Sequence, residues 1–581
     1  MTIAKRIPGL VLILLVGVLI RFWHLELKPL WMDEVITALF SFGRTYYDVP
    51  LEQVLPVSNF EQVFRLNPTA TCAQITQTVA IQSVHPPLFF CWMHQWLSGL
   101  NGLPLSWVWK LRAFPALIGV VAIAALYHLN ALAFSRQAAF IGAAIMAMSP
   151  FAVYLSQEAR HYTLPMLFVI LALSGLYQIL CDLRDRQFRP LVWFGWVAIN
   201  SLGFYIHYFF LLAFVAQVIV LMVEGRRQTA DSRFFLTQPT HPSPLPLSLT
   251  RLLPLLAIAL VCLTYLPWLP TLLSHMNRPE IDWVKVNAPG LLAAIAPLLQ
   301  IVSGWILAVI ALPLENQSVG VAIVNGGLMA LFSLWLAWRV GCGLLRLWQT
   351  MEARLGIRLL AVFCLAVMAQ FLAIAYLLGK DFTQVPRYNF IYFPALCALI
   401  GAGLSQPLSS TKPVMRWGLN GWGRDRYAVP LVLLIATVSS ILVVSNQVFQ
   451  KPYQPEQVAG VMLQEPSSSL LVTTAYQDFQ DIALGLSFAL QLEREWPPRP
   501  TEPHFAFIAQ KDGYGRVWQQ LAQIPQPLPP PLNLWVIAPG LKRIGYPPQL
   551  SLNQMNRSPV CTIDPSQHYR IGIPYQLYRC P

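Results

Sequence analysis

Apolar stretches of helical length recur along the chain from residue 8 to about residue 446, and then they cease. A bilayer hydrocarbon core takes about 20 apolar residues per crossing helix. Spans are therefore expected over about 8–23, 113–134, 138–155, 164–181, 191–206, 209–223, 252–270, 320–338, 359–378, 388–404 and 429–444, about eleven in all. Two further apolar stretches are read as interfacial or re-entrant. Residues 85–96 are too short and carry Trp92, His94, Gln95 and Trp96, a mixture suited to the interface. Residues 291–312, if they crossed, would put the loop with Arg339, Arg346, Arg354 and Arg358 outside, against the charge rule for cytoplasmic loops. After residue 447 the pattern changes. Short β-like runs at 469–473, 504–508 and 534–537 alternate with helix-like stretches at 481–492 and 514–524, separated by Pro-rich linkers at 497–500 and 525–531. This predicts an α-helical polytopic membrane domain over 1–446, with a long first outer loop at 24–112, followed by a small α/β soluble domain over 447–581.

Composition agrees with that division. Of 581 residues, 56% are hydrophobic and 11% charged, about half the charged share of an ordinary soluble protein. The net charge of +13 does not mark a nucleic-acid surface, because no Lys/Arg block is interleaved with aromatics. The cations sit in short loops instead: Arg136; Arg184, Arg186 and Arg189; Arg226, Arg227 and Arg233; Lys412, Arg416, Arg424 and Arg426. With Lys5 and Arg6 ahead of the first span, they predict a cytoplasmic N-terminus and an extracytoplasmic C-terminal domain in a plasma (inner) membrane, where the bilayer itself is the first partner. The apolar run after Lys5-Arg6 leads into Arg21-Phe22-Trp23-His24 rather than a small-residue cleavage site, so an uncleaved helix is expected. The nine cysteines include no C-x-x-C pair. Cys72 with Cys91, and Cys561 with Cys580, are either disulfides in an oxidising compartment or unpaired packing residues.

On this topology the candidate chemistry gathers at one membrane face. Asp33-Glu34 follow the first span beside Trp31. His85-Pro86-Pro87-Leu88 set an imidazole before a rigid helix entry. Ser156-Gln157-Glu158-Ala159-Arg160-His161-Tyr162 join two spans, His207-Tyr208 form the next outward turn, and Pro386-Arg387-Tyr388 open a late span. Each cluster alone is compatible with a solvated or salt-bridged connector. Together, acids, cations and aromatics at one face describe a site for an amphiphilic anionic substrate.

These same motifs resemble the GT-C membrane glycosyltransferases of the protein O-mannosyltransferase and aminoarabinose-transferase type, particularly their Rgt-like bacterial branch, over about residues 8–405. The resemblance implies a polyprenyl-phosphate-linked sugar as donor and transfer to an extracytoplasmic acceptor (lipid, glycan or protein). It implies Asp33 as general base, with Glu34 and Glu158 as the other acidic candidates. It implies His85, Arg160, Arg387 and Tyr388 around the donor phosphate, and leaves His161, Tyr162, His207 and Tyr208 as further site candidates. Where some relatives carry an acidic residue before the Pro-Pro pair, this chain has Val84-His85. A divalent metal would then rest on Glu158 and His207, and no cofactor is otherwise implied. The alternative is a transporter or flippase of lipid-linked sugars. Transporters usually carry paired repeats and midplane charges; this sequence shows neither, and His128, Asn130, Gln217 and Gln370 are scattered through the spans.

Overall fold

The computed structural model describes the whole chain except residues 1–6, 232–246, 279–290, 408–426, 466–467, 497–501, 512, 524, 527 and 555–559. Lys5, Arg6, Arg233, Lys412, Arg416, Arg424, Arg426 and the linker at 497–500 lie outside the described residues. The chain divides into two compact units.

The first unit comprises residues 1–25, 84–89 and 112–449 and is helical. The expected spans fall on helical segments, though 138–155 is split between two helices, 252–270 runs into a 3₁₀ turn, and 388–404 begins in one. Trp107–Ala133, Thr163–Asp185, Leu252–Met276, Val319–Leu347 and Met351–Leu378 are long and apolar enough to cross a membrane, and the bent pair Arg136–Met148 and Pro150–Ser156 makes a sixth if taken as one span. The shorter apolar helices are Pro8–Phe22, Pro190–Phe204, Ala294–Leu307, Phe393–Leu404 and Ala428–Val444. Exposed apolar side chains such as Leu328, Leu331 and Leu334 suit a surface that faces lipid. The chain is an integral membrane protein.

Small residues hold the bundle together. A Cβ at Gly401 would stand 2.6 Å from the backbone of Gly142, and one at Gly403 would stand 2.7 Å from the Val340 carbonyl. Helix Phe393–Leu404 therefore lies directly against Arg136–Met148 and Val319–Leu347, the close approach that glycine permits between membrane helices. The 57° bend between Arg136–Met148 and Pro150–Ser156 has a local cause. Pro150 supplies no N–H, so the preceding turn loses a carbonyl partner. Arg21, fully buried, fills the gap by donating to the carbonyls of Ala147 (2.9 Å) and Met146 (3.0 Å) and to Ser156 Oγ (3.1 Å). Ser149 caps the new helix by accepting from Ala152 N at 3.3 Å. Gln157 Nε2 then donates to the carbonyls of Arg21 (3.3 Å) and Trp23 (2.8 Å), which anchors the turn that follows.

The second unit comprises residues 26–83, 90–111 and 450–581, so most of the long first loop packs with the C-terminal segment. Its sheet has seven strands: β1 (Leu55–Pro56), β2 (Ser469–Tyr476), β3 (His504–Ala509), β4 (Leu532–Ile537), β5 (Gln549–Ser551), β6 (Val560–Ile571) and β7 (Ile573–Cys580). The order is β1-β3-β2-β4-β7-β6-β5. β2 runs parallel to β3 and β4, with Val472 opposite both Phe505 and Trp535, while β7 is antiparallel to β4. The central strands are buried along their length, as expected of a parallel core covered on both faces. Helix Phe479–Glu495 packs on β2 after Asp478 caps it, accepting from Gln480 N and Asp481 N at 2.8 and 3.1 Å. The first loop docks through aromatic contacts. Tyr46 stacks on Phe479 at 4.5 Å, and Phe60 meets Phe505 and Phe507 edge-on at 5.6 and 5.7 Å. Both cysteine pairs are disulfides, Cys72–Cys91 and Cys561–Cys580.

Candidate functional site

In the first unit, four inter-helix segments bring their polar side chains to one place. The turn 157–162 carries Glu158, Arg160, His161 and Tyr162, all buried. His85 comes from the segment ahead of helix Leu88–Gly99, whose Leu88 N–H donates to the carbonyl of Tyr205 (3.0 Å). That bond ties the His85 segment to the turn carrying His207 and Tyr208. Arg387 and Tyr388 lie on the 3₁₀ turn Pro386–Ile391.

Arg160 Nη2 lies 3.2 Å from His85 Nε2. The rings of His85 and His161 are 5.1 Å apart, and those of His161 and His207 are 4.5 Å apart. Tyr162 holds the centre, 6.0 Å from His207, 5.5 Å from Phe390 and 6.5 Å from Tyr388, with the Arg160 guanidinium 5.8 Å over its ring. Arg387 lies 5.7 Å over Tyr388 and hydrogen-bonds the Tyr154 hydroxyl, which also feels Glu158. Burial lowers the basicity of His85, His161 and His207 well below the ordinary imidazole range, and the neighbouring cations Arg160 and, for the first two, Arg387 lower it further. The three imidazoles are therefore neutral near pH 7. A neutral imidazole can donate or accept a proton in a hydrogen bond, and His161 Nε2 is buried without a hydrogen-bond partner. Two guanidinium groups, neutral imidazoles and phenols gathered in one cluster favour an anion.

Sequence reasoning missed part of this cluster. Tyr208 Oη pairs with His275 Nδ1 at 2.6 Å and accepts from Trp268 Nε1 at 3.2 Å, and His275 is near enough to His85 to help lower its basicity. In the sequence His275 stands just beyond the expected span over 252–270, among loop residues. Its signal was a histidine ending the short helix Leu269–Met276 directly after an apolar span. Tyr154 sits four residues before Glu158, in the last turn of helix Pro150–Ser156, inside a stretch read as plain span.

The structure puts Asp33 and Glu34 in the second unit, in the first turn of helix Met32–Ser41, with both side chains buried. A helix N-terminus favours negative charge there. Tyr453 Oη accepts from the Met32 N–H, and the Lys451 ammonium stands 3.9 Å over the Trp31 ring. Neither Lys451 nor Tyr453 was legible as a neighbour, because each lies some four hundred residues along the chain. Among the described residues no group of three or more His, Cys, Asp or Glu is disposed to hold a metal. Among the described residues Glu158 and His207 thus have no third ligand of that kind.

Residues 84–238 match the sequence profile of the dolichyl-phosphate-mannose-protein mannosyltransferases. That stretch contains His85, Glu158, Arg160, His161, Tyr162, His207 and Tyr208. In motif and profile the chain is similar to the GT-C membrane glycosyltransferases. Among solved structures, ArnT from Cupriavidus metallidurans bound to undecaprenyl phosphate aligns over 98% of this chain and 97% of that one, at 13% identity and a TM-score of 0.47. Its apo form aligns over the same shares at 11% identity and a TM-score of 0.49. The archaeal oligosaccharyltransferase AglB from Archaeoglobus fulgidus, in complex with an inhibitory peptide and a dolichol-phosphate, aligns over 84% of this chain and 64% of that one, at 12% identity and a TM-score of 0.38. No curated protein matches the sequence.

Proposed function

We propose that this chain is a membrane glycosyltransferase that moves a sugar from a polyprenyl-phosphate donor to an extracytoplasmic acceptor. The observation that carries the reading is the assembly of buried Arg160, His161 and His207 with half-buried His85 and Arg387, most of it within the stretch that matches the mannosyltransferase profile. Leaving-group charge builds on the donor phosphate as its bond to the anomeric carbon breaks. Fixed cations stabilise that charge without reorganising, which is the efficient form of electrostatic catalysis. Arg160 and Arg387 take this role, each with paired donors suited to phosphate oxygens. His85 and Tyr388 orient the same group. Asp33 is the general base: its carboxylate removes the acceptor hydroxyl proton as that oxygen attacks the anomeric carbon. Glu34 and Glu158 are the alternative acids. The bundle crosses the membrane about eleven times, with the N-terminus cytoplasmic and the second unit extracytoplasmic.

The test incubates the purified chain, in lipid nanodiscs, with radiolabelled polyprenyl-phosphate sugars and membrane extract as acceptor source. Label should leave the donor and appear covalently in an extract component. Donor that is moved between leaflets of a proteoliposome but never cleaved would establish a flippase instead.

A further inference from the structure

The second unit contains two adjoining cavities that the phosphate-binding chemistry does not use. The larger has a volume of about 610 Å³ and is lined by, among others, Glu61, Gln62, Arg65, Trp107, Lys110 and Glu493. The smaller, about 380 Å³, shares Glu61, Trp107 and Glu493 with it and adds Glu26, Gln491 and Arg494. Both fall in the size range of small-molecule sites.

The shared wall is a built structure. Trp107 stacks on Phe64 at 5.1 Å with only 4° between the rings, and Phe42 abuts it edge-on at 5.8 Å. Its indole N–H donates to Glu61 Oε1 at 2.9 Å. The plane of the indole is thus fixed at the junction of the two cavities. Glu61 also hydrogen-bonds Glu493, whose carboxyl is pushed up to about 7 by burial and then by the Glu61 and Glu502 carboxylates. Two carboxylates cannot share a hydrogen bond without a proton between them, so the pair is held together by that proton and offers its remaining oxygens as acceptors.

This lining discriminates among ligands. A lipid chain needs a mostly apolar wall. A phosphate or an acidic peptide would meet Glu61 and Glu493 at the junction, and Glu26 beyond it. A saccharide fits, because a sugar ring has a rim of hydroxyls that both donate and accept, and an apolar C–H face. Carboxyl, amide and guanidinium groups serve the rim, and a fixed indole serves the face.

We propose that the two cavities form a carbohydrate-binding groove with two sugar subsites meeting at Trp107, where the glycan acceptor of the transferase is held. Its role as an acceptor site rests on the glycosyltransferase reading; its affinity for saccharide does not.

The experiment is saturation-transfer difference NMR on the full chain in nanodiscs, free of sugar-headed detergents. The probes are glucose, mannose, galactose, N-acetylglucosamine and the β-1,4-linked dimers of glucose and N-acetylglucosamine. At least one dimer should receive saturation and bind more tightly than its monomer. Trp107→Ala should weaken it by about tenfold. Since Trp107 is also packed, the double variant Gln62→Ala/Arg65→Ala, at exposed rim positions, supplies a second test and should weaken binding while leaving the thermal midpoint unchanged. No transfer to any probe, or transfer undiminished in both variants, overturns the groove. Donor-phosphate binding, measured on the same samples, separates the two readings. Donor bound without saccharide defeats only the groove, whereas saccharide bound without donor defeats the transferase and leaves a sugar-binding protein.

Discussion

Asp33 and Arg387 are asked to do different chemistry, so their variants should fail in different ways. Asp33→Asn keeps the size of the side chain and removes the basic carboxylate. General-base catalysis is worth about 10²–10⁴-fold, so single-turnover transfer should fall by that factor while donor binding is retained. Transfer at the wild-type rate would move the role to Glu34 or Glu158. Arg387→Ala removes a cation that would touch the phosphate in ground and transition states alike. Hydrogen bonds to charged groups contribute about 1.5–3 kcal/mol, so donor affinity should drop by about tenfold or more, with turnover falling as well. Unchanged affinity in direct binding would remove Arg387 from the phosphate site. The histidines make a prediction about pH. Burial and neighbouring cations keep His85, His161 and His207 neutral when the site is empty of anion. A polyprenyl-phosphate sugar is a phosphodiester and carries one charge across this range, so any proton exchanged on binding belongs to the protein. An anion raises the basicity of an imidazole beside it. Donor binding should therefore take up protons and tighten as pH falls from 8 to 6. Calorimetry in two buffers of different ionisation enthalpy measures this, and equal observed heats would show that no imidazole becomes charged. Much of the first-unit site was legible because its residues cluster locally in Gln157–Tyr162 and His207–Tyr208. His275 was not, and in the second unit neither were Lys451 and Tyr453 as neighbours of Trp31 and Met32, since these contacts come from folding and not from proximity in the chain.

At the scale of elements, the sequence spoke clearly where burial was uniform. β2, β3 and β4 are continuous apolar and β-branched runs whose residues are all or nearly all buried, and periodicity finds such strands readily. The β6–β7 hairpin was missed. β6 is largely exposed, and Asp564-Pro565-Ser566-Gln567 interrupts its pattern where the register shifts between Ile563 and His568. Proline and polar residues at a bulge look like a loop in sequence and are tolerated in a strand only there. β1 is two residues long and has no sequence signal of its own. The hairpin is fastened at its end by Cys561–Cys580, and helix Cys72–Gln82 is fastened at its start by Cys72–Cys91. Each bridge spans a sequence separation of 19, for which loop-closure entropy gives about 3 kcal/mol. Peptide mapping without reduction should recover both bridged peptides. Cys561→Ser/Cys580→Ser should lower the unfolding free energy of the second unit by about that amount, read from its denaturant midpoint in the intact chain. Recovery of both thiols free would remove the stabilisation from the account.

For the whole molecule the decisive quantity is the parity of crossings. Helix Thr163–Asp185 begins beside the His161 turn, and near its other end Asp182 pairs with Arg189 at 2.6 Å. Arg358 forms a bidentate pair with Glu224 at 2.6 and 2.7 Å, joining Phe210–Asp231 to Met351–Leu378. The basic loops and the site turns thus occupy opposite ends of the same helices, the asymmetry that the positive-inside rule translates into orientation. Helix Leu291–Leu307 decides the count. Its 17 residues rise about 26 Å at the usual pitch, short of a core near 30 Å, and Pro297 lies within it. A proline inside a helix removes a hydrogen bond that lipid cannot replace. Yet Phe393–Leu404 is shorter still, so length alone does not settle which short helices cross, and charge must. With Leu291–Leu307 re-entrant, the turn between Val319–Leu347 and Met351–Leu378 is cytoplasmic and the second unit is outside. If that helix crosses instead, residues 450–581 fall on the side opposite residues 26–83, with which they form the second unit. Gln349 in that turn and Gln457 on helix Pro455–Met462 are both exposed, and each is suited to a single-cysteine label. The background replaces the free cysteines Cys181, Cys262, Cys342, Cys364 and Cys397 and keeps both disulfides. An impermeant maleimide applied to intact cells should label Gln457→Cys and spare Gln349→Cys until the membrane is opened. The opposite pattern would put the second unit, with Asp33 in it, on the cytoplasmic side, and would make an extracytoplasmic acceptor impossible.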